Sequence, residues 1–270
     1  LLVPSCPSLR LGGAFAAVLA DGSVRAWGNS ANGGSGVPSD ISNSGASGGF
    51  AGPVVSVAST YGAFAAVLAD GSVRAWGSSS YGGSGVPSDI SNSGASGGFA
   101  GPVVSVASTD RAFAAVLADG SVRAWGSSGA GGSGVPSDIS NSGASDGFAG
   151  PVVSVASTHS AFAAVLADGS VRAWGSSNDG GSGVPSDISN SGASGGFAGP
   201  VVSVASTWAA FAAVLADESV RAWGDSSRGG SGVPSDISVV QNKTLGNMSI
   251  LSVASTGAAF APLIRLTCEF

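Results

Sequence analysis

Acid–base chemistry near neutral pH would have to run through His159, the only histidine in 270 residues. A lone imidazole at a turn position that differs between repeats reads as a surface residue rather than a general base. The carboxylates are no better placed for catalysis. Asp21 with Arg25, and Asp70 with Arg74, recur unchanged from one repeat to the next. That identity argues for a structural task, either holding a turn or pairing one repeat with its neighbour. The aspartate of Val37-Pro-Ser-Asp-Ile41 recurs five times, down to Val233-Pro-Ser-Asp-Ile237. One carboxylate per repeat falls short of the roughly six to eight oxygens that calcium takes, so a capping or turn role is expected for it. The Gly-Gly-Ser-Gly stretches lead into no strand–loop–helix unit with a lysine and read as turn glycines, not phosphate cradles. No H-E-x-x-H, C-x-x-C, P-loop or G-x-S-x-G element occurs. We therefore expect no catalytic residue, no metal and no cofactor.

The residues suited to recognition are those that differ between copies. The unit from Tyr61 to Thr109 and the unit from Asp110 to Thr158 differ at five positions, and four of these fall in two short windows. One window is the pair Tyr61-Gly62, replaced in later copies by Asp110-Arg111, His159-Ser160 and Trp208-Ala209. The other holds Ala31-Asn32, Ser80-Tyr81, Gly129-Ala130, Asn178-Asp179 and Ser227-Arg228. Tyrosine, tryptophan and arginine are the types enriched at interface hot spots, whereas drift at an exposed turn more often gives Ser, Asn or Lys. Tyr61, Tyr81, Asp110, Arg111, His159, Asp179, Trp208 and Arg228 are accordingly the candidate partner-binding residues. A protein partner or a larger assembly is the first expectation. An accessory subunit of an extracellular or lumenal assembly, and a glycan-binding surface using Trp208 and the tyrosines, are the alternatives.

The element positioning these windows is a tandem repeat. Phenylalanine recurs at Phe15, Phe64, Phe113, Phe162, Phe211 and Phe260, a step of 49 residues, which means one supersecondary unit copied in series. Within a copy, Val54 to Ala58 is short, β-branched and apolar, and Ala63 to Ala69 is apolar on both faces, with Phe64, Ala66 and Leu68 opposite Ala65, Val67 and Ala69. Both read as strands covered by neighbouring layers. Asp70-Gly71 predicts a two-residue type I′ hairpin into a third strand, Ser72 to Gly77. The Gly/Ser segment beyond, with Val86-Pro-Ser-Asp-Ile90, Phe99 and Pro102, is expected to add an irregular fourth strand. Loops after the first and third strands then share one end of the sheet, and the constant Asp-Gly hairpin lies at the other. In the fifth copy the hairpin reads Asp217-Glu218, so that turn is expected to be strained or of another type, since Glu resists positive φ.

The run Ala-Asp-Gly-Ser-Val-Arg-Ala-Trp-Gly, followed by Gly-Gly-Ser-Gly, resembles the RCC1-type (regulator of chromosome condensation) repeat, whose consensus carries D-G-x-V-x-x-W-G and then G-Q-L-G. The resemblance covers Phe15 to about Phe260. It implies an all-β fold, a β-propeller of antiparallel four-stranded blades, usually seven. This sequence lacks the usual His-Thr pair before the second strand, has G-G-S-G for G-Q-L-G, and falls short of seven units. Members include a nucleotide-exchange factor for a small GTPase and a protein inhibitor of β-lactamase. Their functional residues lie in variable loops with no counterpart here, and neither activity is carried over.

Five full hairpins and a decayed sixth copy give an expectation of about six blades, with seven as the rival. Residues 1–270 are read as one propeller domain, repeating from about 12 to 256, with degenerate segments 1–11 and 257–270 closing the ring. Cys6 and Cys268, one at each end, would then form a disulfide. Asn242-Lys-Thr244 and Asn247-Met-Ser249 are possible glycosylation sites, in keeping with an extracellular or lumenal chain. Because the sequence opens on Leu1, we expect a processed form or a stretch of something longer. Charged residues make up only 10% of the chain and the net charge is −6. The arginines are spread about one per repeat, so nothing resembles the clustered cations of a nucleic-acid phosphate track. The apolar runs are too short for a membrane helix.

Overall fold

The computed structural model describes residues 13–43, 49–91, 99–141, 147–190 and 196–238, and the backbone of two strands at 248–255 and 260–266. Cys6, Cys268, Asn242 and Asn247 lie outside the described residues, as do the closing segment 1–11 and, of the closing segment 257–270, residues 257–259 and 267–270. The chain divides into two compact units, Leu1–Phe148 and Ala149–Phe270.

In the first unit, β1 (Ala14–Val18) pairs with β2 (Val24–Gly28), β3 (Val54–Ser59) with β4 (Ala63–Leu68) and β5 (Val73–Gly77), and β6 (Val103–Ser108) with β7 (Ala112–Leu117) and β8 (Val122–Gly126). In the second unit β9 (Val152–Ser157), β10 (Ala161–Leu166) and β11 (Val171–Gly175) form one sheet. β12 (Val201–Ser206), β13 (Ala210–Leu215) and β14 (Val220–Gly224) form the next, and β15 (Met248–Ser255) pairs with β16 (Phe260–Leu266). All pairings are antiparallel.

The blade thus has three strands rather than the expected four, and among the described residues no sheet closes on itself. The place of the fourth strand is taken by a single helical turn, such as α1 (Ser39–Ser42) or α2 (Ser88–Ser91). The reason is local. Pro87 has no N–H to give a ladder, and the Gly/Ser flanks lack the β-branched side chains that fill a pleated surface. The turn still does a strand's work in the core, because Ile90 is fully buried among Phe113, Leu117 and Val103.

Both faces of each middle strand are covered, as the sequence implies: all six residues of β4 are buried. Phe64, Ala66, Leu68 and Trp76 pack on Ala14, Val24 and Ile41, while Ala65 and Val67 pack on Phe113, Ala115 and Trp125. The second unit repeats this layering, with Phe211, Leu215 and Trp223 on Ala161, Val165 and Ile188. Glycine sets the spacing between layers. A Cβ on Gly33 would lie 2.7 Å from the Phe64 ring, and the Trp76 indole N–H donates to the Gly33 carbonyl at 3.0 Å. Phe15 and Trp27 remain 52% exposed, since among the described residues no preceding layer covers them. No described helix is long and apolar enough to cross a membrane.

The hairpin differs from the expected type I′. Gly71 has φ +80, but no aspartate of any hairpin has positive φ. Gly71 N–H donates to the Leu68 carbonyl at 2.9 Å, and Leu68 N–H donates to the Ser72 carbonyl at 2.9 Å. Ala69, read as the last strand residue, therefore belongs to the loop. This is a type I turn followed by a left-handed glycine, the usual three-residue hairpin. The Asp70 carboxylate accepts from Ser72 N–H at 2.8 Å and Ser72 Oγ at 2.7 Å, which is the turn-holding role of the repeated Asp. Glu218 keeps the same turn, with φ +70 and its N–H on the Leu215 carbonyl at 2.9 Å. The expectation of strain holds; a change of turn type does not occur.

Candidate functional site

Register decides where the windows fall. Ser59 pairs with Phe64 and Ala63 with Gly77, so residues 60–62 and 78–82 lie at one end of the sheet; Val67 pairs with Val73 at the other. The two windows are then tied together. Ser78 N–H donates to the Gly62 carbonyl at 2.8 Å. The hydroxyl of Thr60, a buried residue, donates to the Tyr81 carbonyl at 2.9 Å, and Thr109, Thr158 and Thr207 do the same to Ala130, Asp179 and Arg228 at 2.9–3.0 Å. These threonines were missed in the sequence reading. Their signal was their constancy immediately before a variable pair.

In the first unit, Tyr61, Tyr81, Asp110 and Arg111 come together across two neighbouring repeats. The rings of Tyr61 and Tyr81 lie 5.6 Å apart at a tilt of 35°. Arg111 lies over the Tyr81 ring at 5.1 Å. Tyr61 N–H donates to the Asp110 carbonyl at 3.0 Å, and the Asp110 carboxylate stands 3.7 Å from Arg111 Nε.

The second unit builds its cluster from other residues at the same positions. His159 stacks on Trp208, centroids 4.3 Å apart and planes 19° apart, and Arg228 lies over Trp208 at 5.9 Å. His159 N–H donates to the Trp208 carbonyl at 2.8 Å, matching the link from Tyr61 to Asp110. His159 Nδ1 also meets Ser160 Oγ at 2.8 Å. Asp179 ends a 3-10 turn, Ser177–Asp179, and offers its backbone carbonyl to Thr158. Trp208 stays 47% exposed and Tyr61 37%.

Asp225 was not foreseen as part of this cluster. Its carboxylate accepts from Ser227 Oγ at 2.7 Å and Ser227 N–H at 2.8 Å, and lies 3.6 Å from Arg228 Nε. The side-chain bond from Ser227, then the backbone one, with Arg228 adding, holds this carboxyl below its ordinary value.

The consensus arginines are engaged differently. Arg74 Nε donates to Asp40 of the preceding repeat at 2.7 Å, Arg123 to Asp89 at 2.6 Å and Arg221 to Asp187 at 2.7 Å. The Nη1 of each also donates to the last carbonyl of its own repeat's helix: Ser91, Ser140 and, at 2.6 Å, Ser238. The Val-Pro-Ser-Asp-Ile aspartate is thus the ion-pair partner, and its role is to latch neighbouring repeats rather than to cap a turn.

No protein-family model matches the sequence, and no curated protein matches it. Solved structures do. Prp20p from Saccharomyces cerevisiae, described with its binding to Gsp1p and histones, matches with TM-score 0.53 at 19% identity, over 96% of this chain and 68% of that one. The same yeast protein bound to Kap60 matches with TM-score 0.52 at 19% identity, over 96% and 65%. Human WBSCR16 matches with TM-score 0.48 at 19% identity, over 78% of this chain and 59% of that one, so the chain spans about three fifths of that relative. The repeated antiparallel sheets and the yeast matches show an all-β repeat fold similar to that of the RCC1-type propeller.

Proposed function

We propose that this chain is a non-enzymatic protein-interaction module that binds a partner protein over the window end of its sheets. The observation that carries this is the placement of the differing residues. In each unit they gather at one end, and there they build exposed aromatic–arginine clusters. Residues of these types in well-packed surroundings dominate binding energy at interfaces. The yeast relative is described as binding Gsp1p, histones and Kap60, which supports a protein partner as the class. A glycan surface is less well supported, because Trp208 is already stacked by His159 and approached by Arg228. The test is co-purification of the native complex with Tyr81→Ala/Trp208→Ala. We expect at least a tenfold loss of the bound partner; unchanged retention overturns the reading.

This proposal includes a ring of about six blades closed by both termini. Thiol titration of the denatured chain tests the closure: a Cys6–Cys268 bond leaves no free thiol, and two free thiols remove it.

A further inference from the structure

We propose that each aromatic–arginine cluster is a receptor for a single carboxylate in an acidic–apolar peptide segment of the partner. This rests on the partner-binding reading above and specifies its chemistry. Arg111 and Arg228 differ from the consensus arginines in what their forks do. Arg74, Arg123 and Arg221 spend Nε on an aspartate and Nη1 on helix-end carbonyls. Among the described residues the Nη groups of Arg111 and Arg228 donate no hydrogen bond, and their only ionic neighbours stand off at 3.7 and 3.6 Å. Each guanidinium is nevertheless held, because one face lies over an aromatic ring, Tyr81 or Trp208. The side chains remain 52% and 39% exposed.

A guanidinium resting over a ring with its Nη groups unused is placed to take a bidentate carboxylate, with less further ordering to offset than a free side chain. The charge balance favours a carboxylate over a phosphate. Each cluster holds one arginine with one aspartate beside it, Asp110 or Asp225. A doubly charged phosphate usually gathers more than one cation and would be repelled by that aspartate. The net charge of −6 likewise disfavours a long acidic run, so the fitting segment carries isolated Glu or Asp. The half-exposed Tyr61 and Trp208 give its neighbouring apolar side chains something to cover.

The test uses the intact 270-residue chain and peptide libraries with a fixed central Glu, Gln or phosphoserine and randomised flanks. The Glu library is expected to bind at least about tenfold better than the Gln library, with apolar residues selected beside the Glu. Arg111→Gln and Arg228→Gln are expected each to lower that preference at least about fivefold, and Arg111→Lys, which keeps the charge but not the fork, to restore little of it. Unchanged circular dichroism of these surface variants separates lost recognition from lost folding. Equal Glu and Gln binding that still depends on Tyr81 and Trp208 overturns the carboxylate receptor and leaves the partner surface standing. Preference for phosphoserine overturns it too. Binding of no library, together with native-complex retention insensitive to Tyr81 and Trp208, overturns both.

Discussion

Each three-stranded sheet has two ends built from the same kinds of residue, turns of Gly, Ser and Asp, and the two ends tolerate change very differently. At the hairpin end, Gly71 sits at φ +80 directly beneath Pro102 of the next repeat, so a Cβ there would run into the proline and its backbone. At the window end, positions 61 and 110 bond to each other through backbone, N–H to carbonyl. The hairpin end is fixed by close backbone approach between repeats; at the window end the differing positions 61 and 110 are joined by a backbone bond that any side chain permits, while their neighbours Thr60 and Gly82 stay constant. Near-identical copies therefore change where their contacts are independent of side chain and stay constant where a single methyl group is too much.

The strongest way to break this comparison is at the hairpin end. Gly71→Ala combines a left-handed backbone cost of about 1–2 kcal/mol with a clash that forces neighbouring layers apart. A total loss of about 3 kcal/mol is expected in urea unfolding monitored by tryptophan fluorescence. A loss under about 1 kcal/mol would show that the Pro102 contact is soft, and the contrast between the ends would fail.

Glu218 is the natural exception and sharpens the same point. It alone among described non-glycine residues has positive φ. In the sequence, the position matching Pro53, Pro102 and Pro200 is Ser249 in the sixth copy. The proline is absent from the sequence after the one turn that carries a side chain. The backbone cost remains, so Glu218→Gly is expected to stabilise by about 1 kcal/mol, read as a rise in urea midpoint at unchanged m-value.

The latch between repeats lies at neither end and should give a smaller effect. Arg74 and Asp40 are 19% and 32% exposed, and water screens part of their attraction. A double-mutant cycle of Arg74→Gln and Asp40→Asn is expected to show a coupling of about 0.5–1 kcal/mol. Zero coupling would reduce the latch to geometry. This pairing also marks a limit of the sequence. Asp70 lies four residues from Arg74 and Asp40 lies 34 residues away, and both recur identically in every copy, so periodicity gives no reason to choose between them. The strands and the shared end of the windows were legible because apolar alternation and an even number of intervening strands determine them. The helical turn at Ser88–Ser91 was not, since its one buried side chain, Ile90, follows neither period. The hairpin type was not either, because Asp-Gly suits both a type I′ turn and the left-handed end of a longer loop. At the window end, which positions differ was plain from the copies. That Tyr81 meets Arg111, and His159 meets Trp208, depends on neighbouring repeats lying side by side.

At the window end itself the smallest stability effects are expected, and their pH dependence shows why. Asp225 has its pKa lowered in the fold by Ser227, then by Arg228. A carboxyl lowered in this way contributes its stability above its unfolded value, near 4, and loses it as pH falls through the lower folded value. Relative to Asp225→Asn, the parent chain should therefore gain a slight advantage above about pH 4 that fades as pH falls below it. Urea midpoints of the two proteins compared across that range measure it. The Asp225 side chain is 34% exposed, so the advantage should also shrink when salt is raised. A difference that is independent of pH, or as large as that of Gly71→Ala, would mean the window end carries structure in the way the hairpin end does. The copies would then have varied at a site under constraint, and their variation would have to be compensated pair by pair. The matched pairs Tyr61–Tyr81 and Trp208–Arg228 occupy equivalent places, so exchanging Tyr81 and Arg228 separates the two cases. Independent windows tolerate the exchange within about 0.5 kcal/mol, and compensated ones do not.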